Sequence, residues 1–282
     1  MTRTIKFLGL SAIVGAPLLQ SFVVAIPLLV SACNNASAEF GQQPLEQNVN
    51  INSLLERGIV SLGRLNNHQI YVAIDSIESE GFLGYVRGTA NALVISHFAT
   101  NSAEEKERGP SSDIGYLGYA VISKLKTVSP ADSHKLFDLL NKTGAGKPGA
   151  LLEITLNVPK NDFNKFPVDR LLIVLFERGQ SKESSPGLSR AMPELVKRAN
   201  NAGIETLIVP SVGYNWHDKN SLTFQDIVGP LFDALAGSRS STDIYILLYS
   251  DWHTFTLEEA VQSINSEWRK IVNKQSSGGR ER

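Results

Sequence analysis

The 282-residue sequence contains a single cysteine, Cys33. That excludes an internal disulfide and any Cys-rich zinc site. It also has no surplus of positive charge, since 27 basic residues face 28 acidic ones. A protein that neutralises many phosphates needs a basic field, so a nucleic-acid polymer is excluded as partner. Catalytic signatures are equally scarce. There is no Gly-x-Ser-x-Gly elbow for a hydrolase serine. The histidines His68, His97, His134, His217 and His253 are widely spread and include no metal-binding pair at close spacing. Gly144-Ala145-Gly146-Lys147 lacks the spacing of a phosphate loop, and Pro148 stands where Ser or Thr should hold magnesium; it reads as a turn before a strand. No metal, cofactor or catalytic set is assigned on these grounds. What is present is a 42% apolar composition, enough to bury a core and to exclude disorder.

Export is the first positive signal. Arg3 and Lys6 precede an almost uncharged apolar stretch that runs to Ala32. Three readings of it are open. Leu29-Val30-Ser31-Ala32-Cys33 looks like a bacterial lipobox, which would make Cys33 the lipidated new N-terminus. Alternatively, Ala36-Ser37-Ala38 is the small-x-small site of ordinary signal peptidase. The third reading is an uncleaved anchor, long enough to cross about 30 Å of hydrocarbon although Pro17 and Pro27 weaken its helix. Under all three the basic start stays inside, and everything beyond residue 40 faces away from the cytosol. The expected location is the bacterial cell envelope, lipid-anchored on the periplasmic side.

Residues 1–33 therefore form the signal and lipobox segment. Residues 34–50, polar and rich in Asn and Gln, form a tether. A folded domain covers 51–273, and 274–282 is a small charged tail. No internal repeat is present.

Within the domain, apolar and β-branched runs predict strands over 69–75, 92–97, 151–158, 170–176, 205–210 and 243–249. Leu171-Leu172-Ile173-Val174-Leu175-Phe176 is continuously apolar, which requires burial on both faces of a sheet. Helical spacing fills the gaps. Ser184 or Ser185 with Pro186 opens a helix whose stripe is Leu188, Met192, Leu195, Val196 and Ala199, with Gly203 as its stop and Pro193 as a kink. Ile227, Val228, Leu231, Phe232 and Leu235 mark another, bent by Pro230. Thr256 and Glu259 form a capping box ahead of Leu257, Val261, Ile264, Trp268 and Ile271. Successive strand-helix units imply parallel crossovers. The predicted fold is a three-layer α/β/α domain on a mixed, mostly parallel six-stranded sheet.

In such sheets ligands occupy the crevice beyond the carboxyl ends of parallel strands. That rule selects the segments after Asp75, Ser96, Pro210 and Tyr249. Ser211-Val212-Gly213-Tyr214-Asn215-Trp216-His217-Asp218 and Ser250-Asp251-Trp252-His253 concentrate small polar, aromatic and titratable side chains there. The candidate ligand-binding residues are Asp75, Ser96, Ser211, Gly213, Tyr214, Asn215, Asp251 and Trp252. Gly213 would allow close backbone approach, Asn215 and Asp251 would fix polar groups, and Trp252 would cover a flat ring.

The order of segments also carries a resemblance. Asn91-Ala92-Leu93-Val94-Ile95, Asp113-Ile114-Gly115-Tyr116-Leu117-Gly118, Gly146-Lys147-Pro148-Gly149-Ala150 and Arg170-Leu171-Leu172-Ile173-Val174-Leu175-Phe176 look like the N-terminal domain of M17 leucyl aminopeptidases, which is macro-like. Gly203-Ile204-Glu205-Thr206-Leu207-Ile208-Val209-Pro210 and the turn at Gly213 are similar to macro domains, which bind ADP-ribose and related nucleotides. The resemblance spans roughly residues 68–265 and implies a macro-like fold. It implies for Asp75 the role of the acidic residue that contacts adenine. The two-metal half of the aminopeptidases has no counterpart, so no peptidase activity is expected. Ser96-His97-Phe98-Ala99-Thr100-Asn101 replaces the Asn-rich loop of catalytically active macro domains, which argues against ADP-ribosyl hydrolysis.

The leading expectation is thus an exported, lipid-anchored module that binds a small polar or nucleotide-like ligand. A second is a hydrolase using His217 or His253 with Asp218 or Asp251 as general base or metal ligand. A third is a non-catalytic protein-interaction scaffold.

Overall fold

The structure is a computed structural model, and it describes residues 48–76, 83–86, 90–99, 116–142, 149–158, 166–177, 186–211, 223–250 and 254–278. All belong to one compact unit spanning Pro44–Arg282. Seven strands occur among them: β1 Ile59–Leu65, β2 His68–Asp75, β3 Asn91–Ala99, β4 Leu151–Thr155, β5 Arg170–Glu177, β6 Thr206–Pro210 and β7 Asp243–Tyr249. The helices are α1 Ile51–Arg57, α2 Tyr116–Val128, α3 Pro130–Lys142, α4 Pro186–Asn201, α5 Phe224–Ala236 and α6 Thr254–Gly278.

The strands form one sheet in the order β1-β2-β7-β6-β3-β5-β4. The five inner strands are parallel, and the outer β1 and β4 run antiparallel to β2 and β5. This is the expected three-layer α/β/α architecture, with one strand more than the six read from sequence. The added strand is β1. Its register shifts between Ser61 and Gly63, where Gly63 adopts φ 138°, so the apolar alternation that marks a strand is broken in the middle.

Two cores sandwich the sheet. One face carries Val72, Val94, Leu172, Leu207 and Ile246 under α1, α4, α5 and α6. The other carries Leu93, Ile95, Leu171, Ile173, Ile208 and Leu247 under α2 and α3. The near-continuous apolar runs follow from this, because successive side chains enter opposite cores.

Several expected boundaries move for visible reasons. α4 begins at Pro186, whose missing N–H costs nothing in the first turn, and Gly203 at φ 65° follows its end as foreseen. α5 is preceded by Thr223, whose N–H and hydroxyl both donate to Asp226 at 2.7 and 2.6 Å. α6 starts at Thr254, so Thr256 lies inside its first turn and is not the cap; the helix continues to Gly278, beyond residue 273. At the other end of the domain, Val49 is buried. Its N–H donates to Asn265 Oδ1 at 2.7 Å and its carbonyl accepts from Asn265 Nδ2 at 2.9 Å. The amide of Asn265 thus pairs with the Val49 backbone as a neighbouring strand would.

Candidate functional site

Parallel pairing with a common register brings the strand ends to one edge. Asp75 pairs with Tyr249, Leu247 with Pro210 and Ile208 with Leu93. The exits selected from sequence after Asp75, Ser96, Pro210 and Tyr249 therefore share the carboxyl-terminal edge of the sheet.

Asp75 is the best-defined group there. Its Oδ1 accepts the Ser76 N–H at 2.8 Å and its Oδ2 the Leu83 N–H at 2.7 Å. Its backbone carbonyl accepts from Ser250 N at 2.9 Å, which ties the exits of β2 and β7 together. Leu83 is fully buried and adopts φ 61°, a left-handed conformation rare for a leucine. Val86 N donates to Leu83 O at 2.9 Å, closing a tight turn over 83–86. The Asp75 carboxylate is one anchor of that turn.

The turn carries Tyr85, and its ring joins a stack. Tyr71 and Tyr245 lie with centroids 4.8 Å apart and planes at 23°; Tyr85 follows at 5.6 Å from Tyr245 and 27°. Tyr71 and Tyr245 are register partners on β2 and β7, which puts their rings on the same face. The Tyr85 hydroxyl is buried and makes no hydrogen bond. Burial pushes this phenol well above its ordinary range, and the neighbouring Asp75 carboxylate, Tyr245 and Tyr249 push it further. It stays protonated at any physiological pH and is a neutral donor. Burial also raises Tyr71, helped by Asp243 and opposed by Arg64.

The other expected site residues fall as follows. Ser96 is half-buried on β3 and, by strand alternation, shares a face with Ala92 and Val94; Asp75 shares the opposite face with Ala73 and Leu247. Those two side chains therefore enter opposite sides of the sheet. Ser211 is half-buried directly after Pro210. Gly213, Tyr214, Asn215, Asp251 and Trp252 lie outside the described residues, as do His217, Asp218, His253 and Cys33. Sequence reasoning passed over the tyrosines, although Tyr71 and Tyr245 occupy positions where the period-2 pattern places them on one face. Tyr85 lies in an irregular stretch where no periodicity points to it.

One histidine elsewhere, His68 on β2, is structural. His68 is fully buried, with Nδ1 2.8 Å from Thr242 O and Nε2 3.4 Å from Ser240 Oγ. Among the described residues no three His, Cys, Asp or Glu side chains are grouped to hold a metal ion.

A groove of about 640 Å³ lies at the other end of the molecule, between the last turns of α4 and α5, lined by Lys197, Asn200, Asp233, Ser238 and Arg239. It is remote from the strand exits, because α4 runs back from the exit of β5 to the start of β6. Asn200 Nδ2 donates to Ser238 Oγ at 2.9 Å, so these polar groups hold the helix ends to each other. The strand exits, where the Asp75 carboxylate holds the left-handed backbone at Leu83, are the stronger candidate.

At the sequence level no family model matches the chain, and no curated protein does. Solved structures with a similar course of chain are macrodomains. The Oceanobacillus iheyensis macrodomain with ADP superposes with a TM-score of 0.48 at 9% identity, over 77% of this chain and 98% of that one. Thermosipho africanus DarTG in complex with ADP-ribose gives 0.45 at 15% identity, over 71% and 46%. The Trypanosoma brucei macrodomain in complex with ADP gives 0.43 at 7%, over 69% and 68%. The expected kinship with aminopeptidase N-terminal domains gains no support from these.

Proposed function

We propose that this chain is a macro-like binding module that takes a small polar, nucleotide-like ligand at the exits of β2, β7, β6 and β3. The observation that carries the reading is the convergence of five parallel strand ends on one edge, with Asp75 opposite Tyr249 and the turn at Leu83 fastened to the Asp75 carboxylate. Backbone N–H groups past the last ladder bonds are the natural donors for a phosphate or carboxylate at such an edge. Ser211, Gly213, Tyr214, Asn215, Asp251 and Trp252 follow those exits in sequence and complete the proposed site. Thermal shift with ADP-ribose, ADP, sugars and divalent metals tests it, since a ligand that binds only the folded state raises its stability. A midpoint raised by ADP-ribose or ADP supports the reading; no shift with any nucleotide rejects it.

The proposal includes export and lipid attachment through Cys33, on the strength of Arg3, Lys6, the apolar run and the small residues before the sole cysteine. The protein then hangs from the membrane on the periplasmic side of a bacterial envelope. Growth with a labelled fatty acid is decisive. Label in the wild type that is absent from Cys33→Ser supports attachment; equal label in both, or none in either, refutes it and makes cleavage near Ala38 the better reading.

A further inference from the structure

The groove between the last turns of α4 and α5 takes no part in the binding proposed above, yet it is built as a small-molecule site is. Its volume of about 640 Å³ lies in the range of ligand pockets. Each helix contributes an interior proline to its lining, Pro193 from α4 and Pro230 from α5. With Val196 and Ala234 these rings make up the apolar part of the wall. A proline ring has no rotamer freedom to lose, so this part is in place before anything binds.

Charge decides what the rest of the wall takes. Lys197 and Arg239 both line the groove and both are exposed; among the described residues neither is paired with a carboxylate. Nearby cations are engaged, Arg198 with Glu194 at 3.1 Å and Lys274 with Asp233 at 3.5 Å. Asp233 is the one carboxylate of the lining, and Lys274 offsets its charge. The last carbonyls of a helix carry partial negative charge and would oppose an anion. Here they are covered. Asn66 Nδ2 donates to the carbonyls of Leu235, Ala236 and Ser238 at 3.2, 2.6 and 3.0 Å, and the N–H groups of Ala202 and Ile204 donate to those of Arg198 and Ala199 at 2.9 Å. A positive surplus therefore faces the groove beside a preformed apolar surface.

We propose that this groove is a second binding site, for a small organic anion whose apolar body lies against Pro193 and Pro230 while its oxyanion head meets Lys197 and Arg239. The planar guanidinium of Arg239 can take two oxygens of the head at once, and Lys197 supplies a point charge on a flexible stem. The site is independent of whatever binds at the strand exits.

The experiment is an NMR titration of the isotope-labelled full chain with phenyl phosphate, inorganic phosphate and phenol, read at the backbone amides of Ala234 and Gly237. Phenyl phosphate should shift both amides saturably, and phosphate or phenol alone should bind roughly tenfold more weakly, each having only half of the contacts. Lys197→Ala and Arg239→Ala should each weaken phenyl phosphate roughly fivefold, the effect of one exposed charge-assisted contact. Asp233→Asn should tighten it, because the one opposing charge is removed. All three side chains are exposed, so the urea midpoints of the variants should match the wild type. No saturable shift with phenyl phosphate, or equal affinity in wild type, Lys197→Ala and Arg239→Ala, overturns the site. Phosphate or phenol binding as tightly as phenyl phosphate overturns the ligand class, and weaker binding by Asp233→Asn overturns the charge argument.

Discussion

Asp75 Oδ2 accepts the backbone N–H of Leu83 at 2.7 Å, while Leu83 itself holds φ 61° and no solvent exposure. A single carboxylate at a strand exit therefore keeps a residue eight positions later in a conformation it would otherwise leave. The arrangement couples the candidate site to local stability. Asp75→Ala should lower stability by about 1–3 kcal/mol, the cost of leaving a buried donor without its acceptor. Asp75→Asn keeps one carbonyl oxygen and should lose less. Chemical denaturation of the two variants checks the order; equal midpoints for Asp75→Ala and wild type would show that the turn is held by other contacts.

A second side chain fastens the opposite end of the sheet. Asn66, in the β1–β2 turn at φ 52°, donates its amide to the carbonyls of Leu235, Ala236 and Ser238 at 3.2, 2.6 and 3.0 Å, capping the end of α5. Asn66→Ala loses these bonds and places a Cβ-bearing residue without a local hydrogen bond in the left-handed region, a combined cost of about 2–3 kcal/mol. Asn66→Gly relieves the backbone part and should be less harmful by about 1 kcal/mol. Urea midpoints of both variants separate the cap from the conformational preference.

Burial raises the carboxyl of Asp169 above its ordinary range, against the opposing pull of Arg170. A carboxyl with a raised folded pKa binds more protons in the folded state than in the unfolded one. Stability from this group is therefore greatest at low pH and falls as pH rises from the ordinary carboxyl value through the folded pKa. Asp169→Asn should raise the urea midpoint at neutral pH, and the advantage should shrink as pH falls through the raised folded pKa toward the ordinary carboxyl range, where the wild-type group is protonated. An advantage that is constant with pH would rule out the desolvation account.

Trp268 of α6 meets Phe232 of α5 edge-on at 5.7 Å and 71°, and both are buried. Trp268→Ala opens a cavity between the two helices and should cost about 3–5 kcal/mol. A loss below 1 kcal/mol, read from thermal or chemical unfolding, would mean that this seam is not part of the cooperative core.

The legible parts of the fold were those with a strong period. Leu171 to Phe176 had to be an inner strand because only a doubly covered sheet buries consecutive apolar residues. α4 could be placed at both ends from Pro186 and Gly203. β1 escaped because Ser61, Gly63 and Arg64 interrupt its pattern around the bulge. α2 and α3 were not singled out, although Ser129, Pro130 and Asp132 form a start signal: Ser129 Oγ donates to Asp132 Oδ2 at 2.7 Å, and the same oxygen takes Asn157 N–H at 2.6 Å. At the candidate site the rule of parallel strand exits led to Asp75 directly. It also grouped Ser96 with Asp75, and only the alternation of side chains across the sheet separates the two. Tyr85 was beyond reach because its position depends on a long-range anchor, the Asp75 carboxylate, and on the ring of Tyr245, neither of which leaves a local trace in sequence.

The central claim is ligand binding at the strand exits, and calorimetric titration of the purified full chain with ADP-ribose, beside Asp75→Ala, tests it most directly. The account predicts saturable one-to-one binding by the wild type that is lost or greatly weakened in Asp75→Ala. Absence of binding by the wild type, or equal binding by the two proteins, would contradict it.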